Sequence, residues 1–378
     1  MGKIKVGITG QHGFVGTHLT NYLKLKRDIE IVPFDKVWFS ETQKLQEFVK
    51  QCNLIVHLAA LNRHQDPQVI YDTNVTLVNS LISACESEKV TPHILFSSST
   101  QEENDNFYGK SKLAGRMSLE AWAARSGGKV TGLVIPNVFG PFGKPFYNSV
   151  VATFCYQLTH DKEPVINTDS EVGLIYVNEL IEEIFSLIIE SDKVPGRRSG
   201  SKYTISPTKY IKVSDILSIL QKYKADYLDG GIFPDLTNSF ERALFNTFRC
   251  YVPEDYFPHP FKLNKDERGV FVEVARTATP GQTSYSTTMP GITRGNHFHT
   301  RKAERFAVIQ GKARIQLRKI GTDEIINYYL DGAAPSYVDM PIWYTHNITN
   351  IGNEELLTLF WINEPYDQAD PDTYFEVV

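Results

Sequence analysis

The turn Gly10-Gln-His-Gly13-Phe-Val-Gly16 constrains this chain more than any other stretch. It is entered from residues 3–9 (KIKVGIT), an apolar-rich run of strand character. It is left through Phe14, Val15, His18, Leu19, Tyr22 and Leu23, which recur at helical spacing. Glycine lets a backbone turn tightly between strand and helix and approach a pyrophosphate. The helix N-terminus then offers free N–H groups and the positive end of its dipole. A second strand-like run, Ile29 to Phe34, ends at Asp35, 19 residues after Gly16. Strand, glycine turn, helix, strand and terminal carboxylate in that order predict a dinucleotide site. A carboxylate at Asp35 bonds ribose hydroxyls and repels a 2′-phosphate, which favours NAD, while Lys36 beside it softens that preference.

The alternation continues. Leu54 to Ala59 (LIVHLA) and Ile94 to Ser99 read as buried strands, Val75–Glu88 and Tyr108–Arg125 as helices, and 129–135 (KVTGLVI) as another strand. Strands alternating with helices predict a Rossmann-type parallel α/β sheet with helices on both faces. Helices near Val150–Leu158, Val177–Ile189 and Val213–Tyr223 suit a smaller lobe that closes over a ligand. Residues 249–262 (RCYVPEDYFPHPFK) are rich in Pro and aromatics and lack periodicity. Beyond them come short alternating segments: Val270–Val274, Thr283–Thr288, Arg305–Ile309, Ala313–Leu317, Ile325–Tyr329, Ser336–Val338 and Leu356–Trp361. Gly and Pro turns between them predict an all-β sandwich or barrel. The expected partition is therefore an α/β domain with its lobe over 1–246, a linker over 247–262 and a β domain over 263–378.

At 378 residues the chain exceeds one ordinary core. A net charge of −5 gives no reason to expect nucleic acid or an anionic membrane as partner. No run reaches the ~18 apolar residues that span a bilayer. MGKIKVGITG begins a strand at once, which leaves no room for a signal peptide. Cys52, Cys85, Cys155 and Cys250 are scattered without CxxC spacing. A reduced, cytoplasmic chain is expected.

Two constellations carry chemistry. Tyr108-Gly-Lys-Ser-Lys112 places Tyr and Lys at i and i+4, on one helical face. Tyrosine is a poor acid with a free pKa of about 10, and a nearby ammonium is expected to lower it. The pair can protonate a carbonyl oxygen as hydride reaches its carbon, with Ser99 holding that oxygen. The second constellation is His297-Phe-His299, then Glu304, then His346. Two residues apart in a strand, the first two imidazoles share a face. Three neutral imidazoles and one carboxylate suit a first-row divalent metal, zinc among them.

Gly10-x-x-Gly13-x-x-Gly16, His57-Leu-Ala-Ala60, Asn74, Ser97-Ser-Ser99, Tyr108xxxLys112 and Pro136-Asn-Val-Phe-Gly140 together resemble the extended short-chain dehydrogenase/reductases, which act mostly on nucleotide sugars. Gly295–Gly311 and Pro341–Asn350 resemble the two cupin motifs, with Trp343 in place of the usual glycine. With Asn62-Arg-His64, residues 147–157 and the closing PDTYFEVV, the combination resembles bifunctional enzymes of capsular polysaccharide synthesis, in which such a reductase is fused to a cupin (jelly-roll barrel). The chain departs from the reductase pattern at Val134, where Arg is usual, and at 171–178 (EVGLIYVN).

The resemblance implies production of UDP-2-acetamido-2,6-dideoxy-L-talose, a precursor of N-acetyl-L-fucosamine, with NADPH (or NADH), a zinc ion and a homodimer. It implies cofactor contacts at Gly10, Gly13, Phe14, Val15, Gly16, Asp35, Lys36, Leu58, Ala59, Ala60, Asn74, Tyr108 and Lys112. Asn137, Lys144 and Asn148 are expected to meet the UDP-sugar. A 4-keto-6-deoxy sugar would explain the pairing, because its C4 carbonyl accepts hydride and also acidifies the C3–H. The metal could polarise that carbonyl, with Lys302 as a proton-transfer group and Tyr344 as a weaker candidate. Two alternatives stand beside this reading. In one the chain is a single-function 4-ketoreductase whose cupin is structural and dimerising. In the other it senses NAD(P) without turnover.

Overall fold

The computed structural model describes residues 2–193, 201–261, 264–266, 269–271, 276–277, 282–364 and 368–378. The chain forms two compact units. The first holds Met1–Phe139, Gly143–Ser149 and Ser170–Ile211; the second holds Gly140–Phe142, Val150–Asp169 and Lys212–Val378.

The first unit runs β1 (Ile4–Thr9), α1 (Phe14–Lys24), β2 (Ile29–Val32), α2 (Thr42–Gln51), β3 (Leu54–His57), α3 (Pro67–Glu88), β4 (His93–Ser99), α4 (Phe107–Ser126), β5 (Val130–Ile135) and β6 (Asn137–Phe139). After α5 (Val150–Thr159), which belongs to the second unit, come β7 (Glu171–Tyr176), α6 (Val177–Lys193), β8 (Ser201–Thr204) and β9 (Lys209–Lys212). Six strands form a parallel sheet in the order β2-β1-β3-β4-β5-β8. Every described residue of β3 and β5 is buried, as expected of strands covered on both faces. Phe48, Ile55, Leu81, Ile94, Phe96 and Trp122 fill the space between sheet and helices. Strand β1 pairs with β2 on one side and β3 on the other. The direction of winding therefore reverses at β1, and ligands of such sheets bind beyond the strand ends at that point.

Local signals set the helices. Asp66 caps α3 through the Gln68 N–H, and Pro67 occupies the first turn. Helix α3 thus starts eight residues before the expected Val75, because the cap precedes the periodic stretch. Asn106 caps α4 through the Gly109 N–H, and Gly127 ends it at φ +72°.

The second unit continues with α7 (Val213–Tyr223), β10 (Ile232–Phe233), α8 (Ser239–Arg249), β11 (His259–Pro260), β12 (Asn264–Asp266), β13 (Gly269–Phe271) and β14 (Arg276–Thr277). Then come β15 (Gln282–Thr288), β16 (Thr293–Phe298), β17 (Glu304–Gln310), β18 (Lys312–Lys319), β19 (Ile325–Asp331), β20 (Ser336–Met340), β21 (Tyr344–Asn350), β22 (Leu356–Ile362) and β23 (Tyr374–Phe375). Two five-stranded sheets, β11-β20-β17-β22-β15 and β19-β18-β21-β16-β23, carry antiparallel pairs and enclose Val308, Ile315, Leu317, Val338, Met340 and Ile348. The β expectation holds. Of the strand expected at Val270–Val274, residues 272–274 lie outside the described residues, as do residue 262 at the end of the expected linker and residue 263 at the start of the expected β domain.

The partition differs from the expected one. Residues 212–246 belong with the β sheets, and 247–262 include the end of α8 and strand β11, so they are no linker. The reason is a set of buried polar and aromatic contacts. The Asn246 amide donates to the Arg301 carbonyl at 3.1 Å, Tyr227 donates to Asp339, and Phe233 packs on Trp361 with ring centroids 4.5 Å apart. Asp339 also takes a two-pronged bond from Arg305, at 2.7 and 3.0 Å, inside the unit. Pro and aromatic richness marked packing here, not a connector. Among the described residues, no helix is long and apolar enough to cross a membrane.

Candidate active site and metal centre

The register Thr9↔His57 sets the glycine turn against residues 58 and 59. Gly10 has φ +78°, and an added Cβ would lie 2.7 Å from the Ala59 nitrogen. A Cβ on Gly16 would lie 2.1 Å from the Gly10 carbonyl oxygen. Gly13 stands at the cap position of α1 with no side chain bonded to the helix N–H groups, so Phe14 and Val15 open a helix end available to an anion. This cradle fits a dinucleotide pyrophosphate. Asp35 and Lys36 are exposed beyond β2, where the Asp35 carboxylate accepts from the Val37 N–H at 3.1 Å.

Leu58, Ala59 and Ala60 leave β3 in a loop held from beneath. The Asn74 amide accepts from the Leu61 N–H at 2.7 Å and donates to the Leu61 carbonyl and the Ser111 hydroxyl, each at 3.0 Å. Asn74 thus braces the loop, with its amide oxygen and nitrogen both engaged within the protein.

The three serines of β4 do different things because strand side chains alternate. Ser97 donates to the His57 carbonyl and Ser98 to the buried Glu102 carboxylate. Ser99 accepts from the Gln101 N–H at 3.2 Å, which leaves its own O–H to donate. Arg116 and Lys202 bond the same Glu102 and hold its carboxyl low against the burial that works to raise it. Helix α4 brings Tyr108 and Lys112 together, with Nζ 5.6 Å from the Tyr108 ring centroid and 2.8 Å from the Ser97 carbonyl oxygen.

The expected depression of the Tyr108 pKa is corrected here. Burial pushes the phenol up to about 12, and Tyr147 adds to the rise. Lys112 is 3 % exposed, and burial pulls its ammonium down to about 8. Its Nζ lies over the ring face and bonds a backbone carbonyl, so burial outweighs its charge at Tyr108.

The expected substrate residues are not alike. Asn137 is exposed on β6, with its amide 3.4 Å from the Gly173 carbonyl. Lys144 and Asn148 lie on one loop, joined by a residue that sequence reasoning passed over. Arg63 donates to the Asn148 side chain at 2.6 Å and to the Phe146 carbonyl at 3.4 Å. Arg63 and Lys144 lie 5.6 and 5.4 Å from the Tyr147 ring centroid. Two cations thus converge on the tyrosine that also acts on Tyr108. The only signal for Arg63 was its place in Asn62-Arg-His64.

In the second unit, Gly295 (φ +102°) and Asn296 (φ +59°) make a bulge in β16 that re-aims the chain before His297. His297 pairs in register with His346 of β21, and Glu304 opens β17 of the other sheet. Among the described residues, the ligand atoms of His297, His299, Glu304 and His346 all lie within 4.8 Å of one another. Glu304 Oε2 is 3.0 Å from His299 Nε2 and 3.2 Å from His346 Nε2. All three atoms are buried, and none meets another in hydrogen-bond geometry. Buried, convergent lone pairs of this kind fit a metal ion.

Burial pulls His297 down to about 4, helped by the two neighbouring imidazoles. Burial works to raise the Glu304 carboxyl, but His299 and His346 outweigh it and hold it well below the carboxylate range. Trp343 has φ +59°, which explains why glycine is usual there, and its backbone N–H donates to the His299 carbonyl at 2.9 Å.

Lys302 lies in the loop before β17 and is buried. Its Nζ donates to the Pro371 carbonyl at 2.7 Å. Tyr344 lies on β21 two residues before His346, and burial raises its phenol strongly.

Known proteins match these two halves. The family model "NAD dependent epimerase/dehydratase family" matches residues 6–199, and "Polysaccharide biosynthesis C-terminal domain" matches 264–374. A UDP-2-acetamido-2,6-beta-L-arabino-hexul-4-ose reductase of Pseudomonas aeruginosa is 34% identical over 373 residues, 98% of each chain. The crystal structure of the capsular polysaccharide assembling protein CapF from Staphylococcus aureus is 36% identical, with 99% of this chain and 100% of that one covered at a TM-score of 0.62. RMD from Pseudomonas aeruginosa, solved with NADPH, shares the fold of the reductase half at 19% identity, with 59% of this chain and 83% of that one covered and a TM-score of 0.52. With the glycine cradle and the Ser99, Tyr108 and Lys112 group at the end of a parallel sheet, the chain belongs to the NAD dependent epimerase/dehydratase family, as a CapF-like short-chain dehydrogenase/reductase with a C-terminal β domain.

Proposed function

We propose that this chain performs two steps on a nucleotide sugar for capsular polysaccharide synthesis. It epimerises C3 of a UDP-4-keto-6-deoxy-HexNAc in the second unit, then reduces C4 in the first to give UDP-2-acetamido-2,6-dideoxy-L-talose. The observation that carries this reading is one chain in which Lys112 Nζ lies 5.6 Å from the Tyr108 ring centroid, beyond a strand that ends at Ser99, and in which His297, His299, Glu304 and His346 form a buried, convergent set. A 4-keto sugar needs both, since its carbonyl accepts hydride and also acidifies the adjacent C3–H.

When bound, a reduced nicotinamide supplies hydride to C4, and a divalent metal such as zinc supplies polarisation of the same carbonyl. The residues of the chain do the rest. Gly10, Gly13 and Gly16, with the N–H groups of Phe14 and Val15, receive the dinucleotide pyrophosphate. Asp35 and Lys36 meet its adenosine ribose, and the Leu58–Ala60 loop, braced by Asn74, walls the site. Ser99 donates a hydrogen bond to the C4 oxygen, and Tyr108 gives it a proton. Lys112 fixes the Tyr108 ring from behind. Lys144 and Arg63 meet the diphosphate as cations, while Asn137 and Asn148 bond sugar or uracil. His297, His299, Glu304 and His346 hold the metal. A base of the second unit takes the C3 proton, and a different proton, drawn from a group in exchange with solvent, is delivered to C3 on the opposite face. Lys302, tied to Pro371, is the residue put forward for that transfer.

In this reading NADPH is preferred to NADH, the chain works in the cytoplasm, and it pairs as a homodimer. The proposed seat of the second copy is a mostly apolar cleft between α3 and α4, lined by Gln68, Tyr71, Phe107, Lys110, Leu113, Ala114 and Met117. The test is incubation with the 4-keto sugar nucleotide and each cofactor in deuterated water, read by NMR. Deuterium at C3 together with reduction at C4 is expected. Reduction with no deuterium at C3 removes the epimerase step and supports a single-function 4-ketoreductase with a structural β domain.

A further inference from the structure

Asp372 follows His299 by 73 residues in sequence, yet it is 2 % exposed and its carboxylate accepts four hydrogen bonds from residues 300–302. One carboxylate oxygen accepts from the Thr300 N–H at 3.1 Å and the Thr300 hydroxyl at 2.6 Å. The other accepts from the N–H groups of Arg301 and Lys302, at 3.0 and 3.1 Å. The residue's own carbonyl meets Nδ1 of His299, whose Nε2 points at Glu304. Its backbone sits at φ +39°, a conformation an L residue keeps only when its surroundings over-determine it.

The segment around Asp372 reinforces this grip. Pro371 receives the Lys302 ammonium. Tyr374 and Phe375 form β23 on β16, with Phe375 opposite His297. The Glu376 N–H donates to the Asn296 carbonyl at 3.0 Å, and the Glu376 carbonyl accepts from Thr345, next to His346. Three of the four metal-ligating positions are thus touched, directly or through a neighbour, by residues 371–376.

We infer that Asp372 is a positioning residue of the metal centre: its carboxylate folds the 299–302 loop, its carbonyl fixes the His299 tautomer and ring, and through both it holds the metal in place. The inference rests on the reading of His297, His299, Glu304 and His346 as metal ligands. An imidazole whose second nitrogen is anchored points its ligating nitrogen correctly, and loss of such an anchor typically weakens metal binding about 10–100-fold.

Asp372→Asn is the informative substitution. Three of the four groups facing the carboxylate are backbone N–H groups with no lone pair to offer, and in either orientation an amide NH2 faces at least one of them, at nearly unchanged volume. The purified full-length protein is loaded with zinc, and release to a colorimetric chelator is followed. Release from Asp372→Asn is expected at least about tenfold faster than from wild type. Asp370→Asn serves as the control, since among the described residues the Asp370 carboxylate pairs with Arg301 at the surface. Thr300→Val removes one bond to Asp372 and should give an intermediate rate, which keeps the inference testable should Asp372→Asn fail to fold. Circular dichroism and thermal unfolding of the metal-free proteins confirm the fold of the variants. Zinc release within twofold of wild type in a folded variant overturns the inference. A wild type that takes up no zinc, cobalt or manganese overturns instead the reading of the metal centre.

Discussion

A phenol held at about 12 is a proton donor at neutral pH, and carbonyl reduction needs a donor. Tyr108 is therefore in the competent form for reduction without help from a lowered pKa. The Lys112 ammonium, pulled to about 8 by burial and bonded to the Ser97 carbonyl, acts by fixing the ring more than by charging it. Tyr108→Phe removes the proton and leaves the ring packing. It should cut C4 reduction by about 10²–10⁴-fold, the usual contribution of a placed acid, and leave C3 exchange unchanged. NADPH oxidation and C3 deuteration, measured on the same variant, check both halves; a Phe variant that reduces at the wild-type rate removes Tyr108 from the mechanism. Arg63 acts on binding instead. A bond from a charged group contributes about 1.5–3 kcal/mol, and about 1.4 kcal/mol is tenfold in affinity. Arg63→Met should therefore raise KM for the UDP-sugar by roughly 10–100-fold, with a smaller change in kcat. An unchanged KM assigns Arg63 to loop structure alone.

The elements of the first unit were largely readable because their signals are local. The glycine turn, the buried run at 54–57 and the capped helix α4 each declare themselves within a dozen residues. Helix α8 and the true unit boundary were not readable, since they depend on Asn246, Arg249, Tyr227 and Arg305 meeting partners far away in sequence. Asp372 was hidden for the same reason, 70 residues or more from the loop it folds. Burial gave the one wrong sign, because spacing places Lys112 beside Tyr108 but says nothing of how dry the pair is.

Burial also sets an acid limit on the parallel sheet. His57 ends β3 and His93 opens β4; desolvation pulls both imidazoles down to about 3. The unfolded chain takes up these protons near 6.5, so it binds more protons than the folded one between 6.5 and 3, and stability must fall as pH falls through that window. From pH 7 to pH 5 each histidine should cost about 2 kcal/mol. Urea unfolding at both pH values checks this. His93→Gln, which can still bond Thr131, should lose about 2 kcal/mol less on acidification than wild type; equal losses would place the acid sensitivity elsewhere.

At the scale of the whole chain, the two proposed steps act on one sugar but share no side chain. Nothing in the reductase group depends on the metal ligands, and the metal centre contains none of Ser99, Tyr108 or Lys112. The C3-inverted 4-keto sugar is a neutral ketone on a charged nucleotide carrier, with no covalent bond to either unit in the proposed steps. A paired variant, His297→Ala with His346→Ala, should therefore lose metal and C3 deuteration while its reductase half still consumes NADPH with a ketone epimerised elsewhere. Tyr108→Phe should do the reverse. Mixing the two proteins is the decisive arrangement, because each supplies the step the other lacks. The mixture should form the talose product, at a rate that rises with the concentration of either partner, as expected when an intermediate crosses between proteins by diffusion. Talose formed by the metal-site variant alone would remove the epimerase from the second unit. A mixture that deuterates C3 yet yields no product would mean that the ketone made at one site is not the substrate of the other, and the two-step reading of the chain would fall with it.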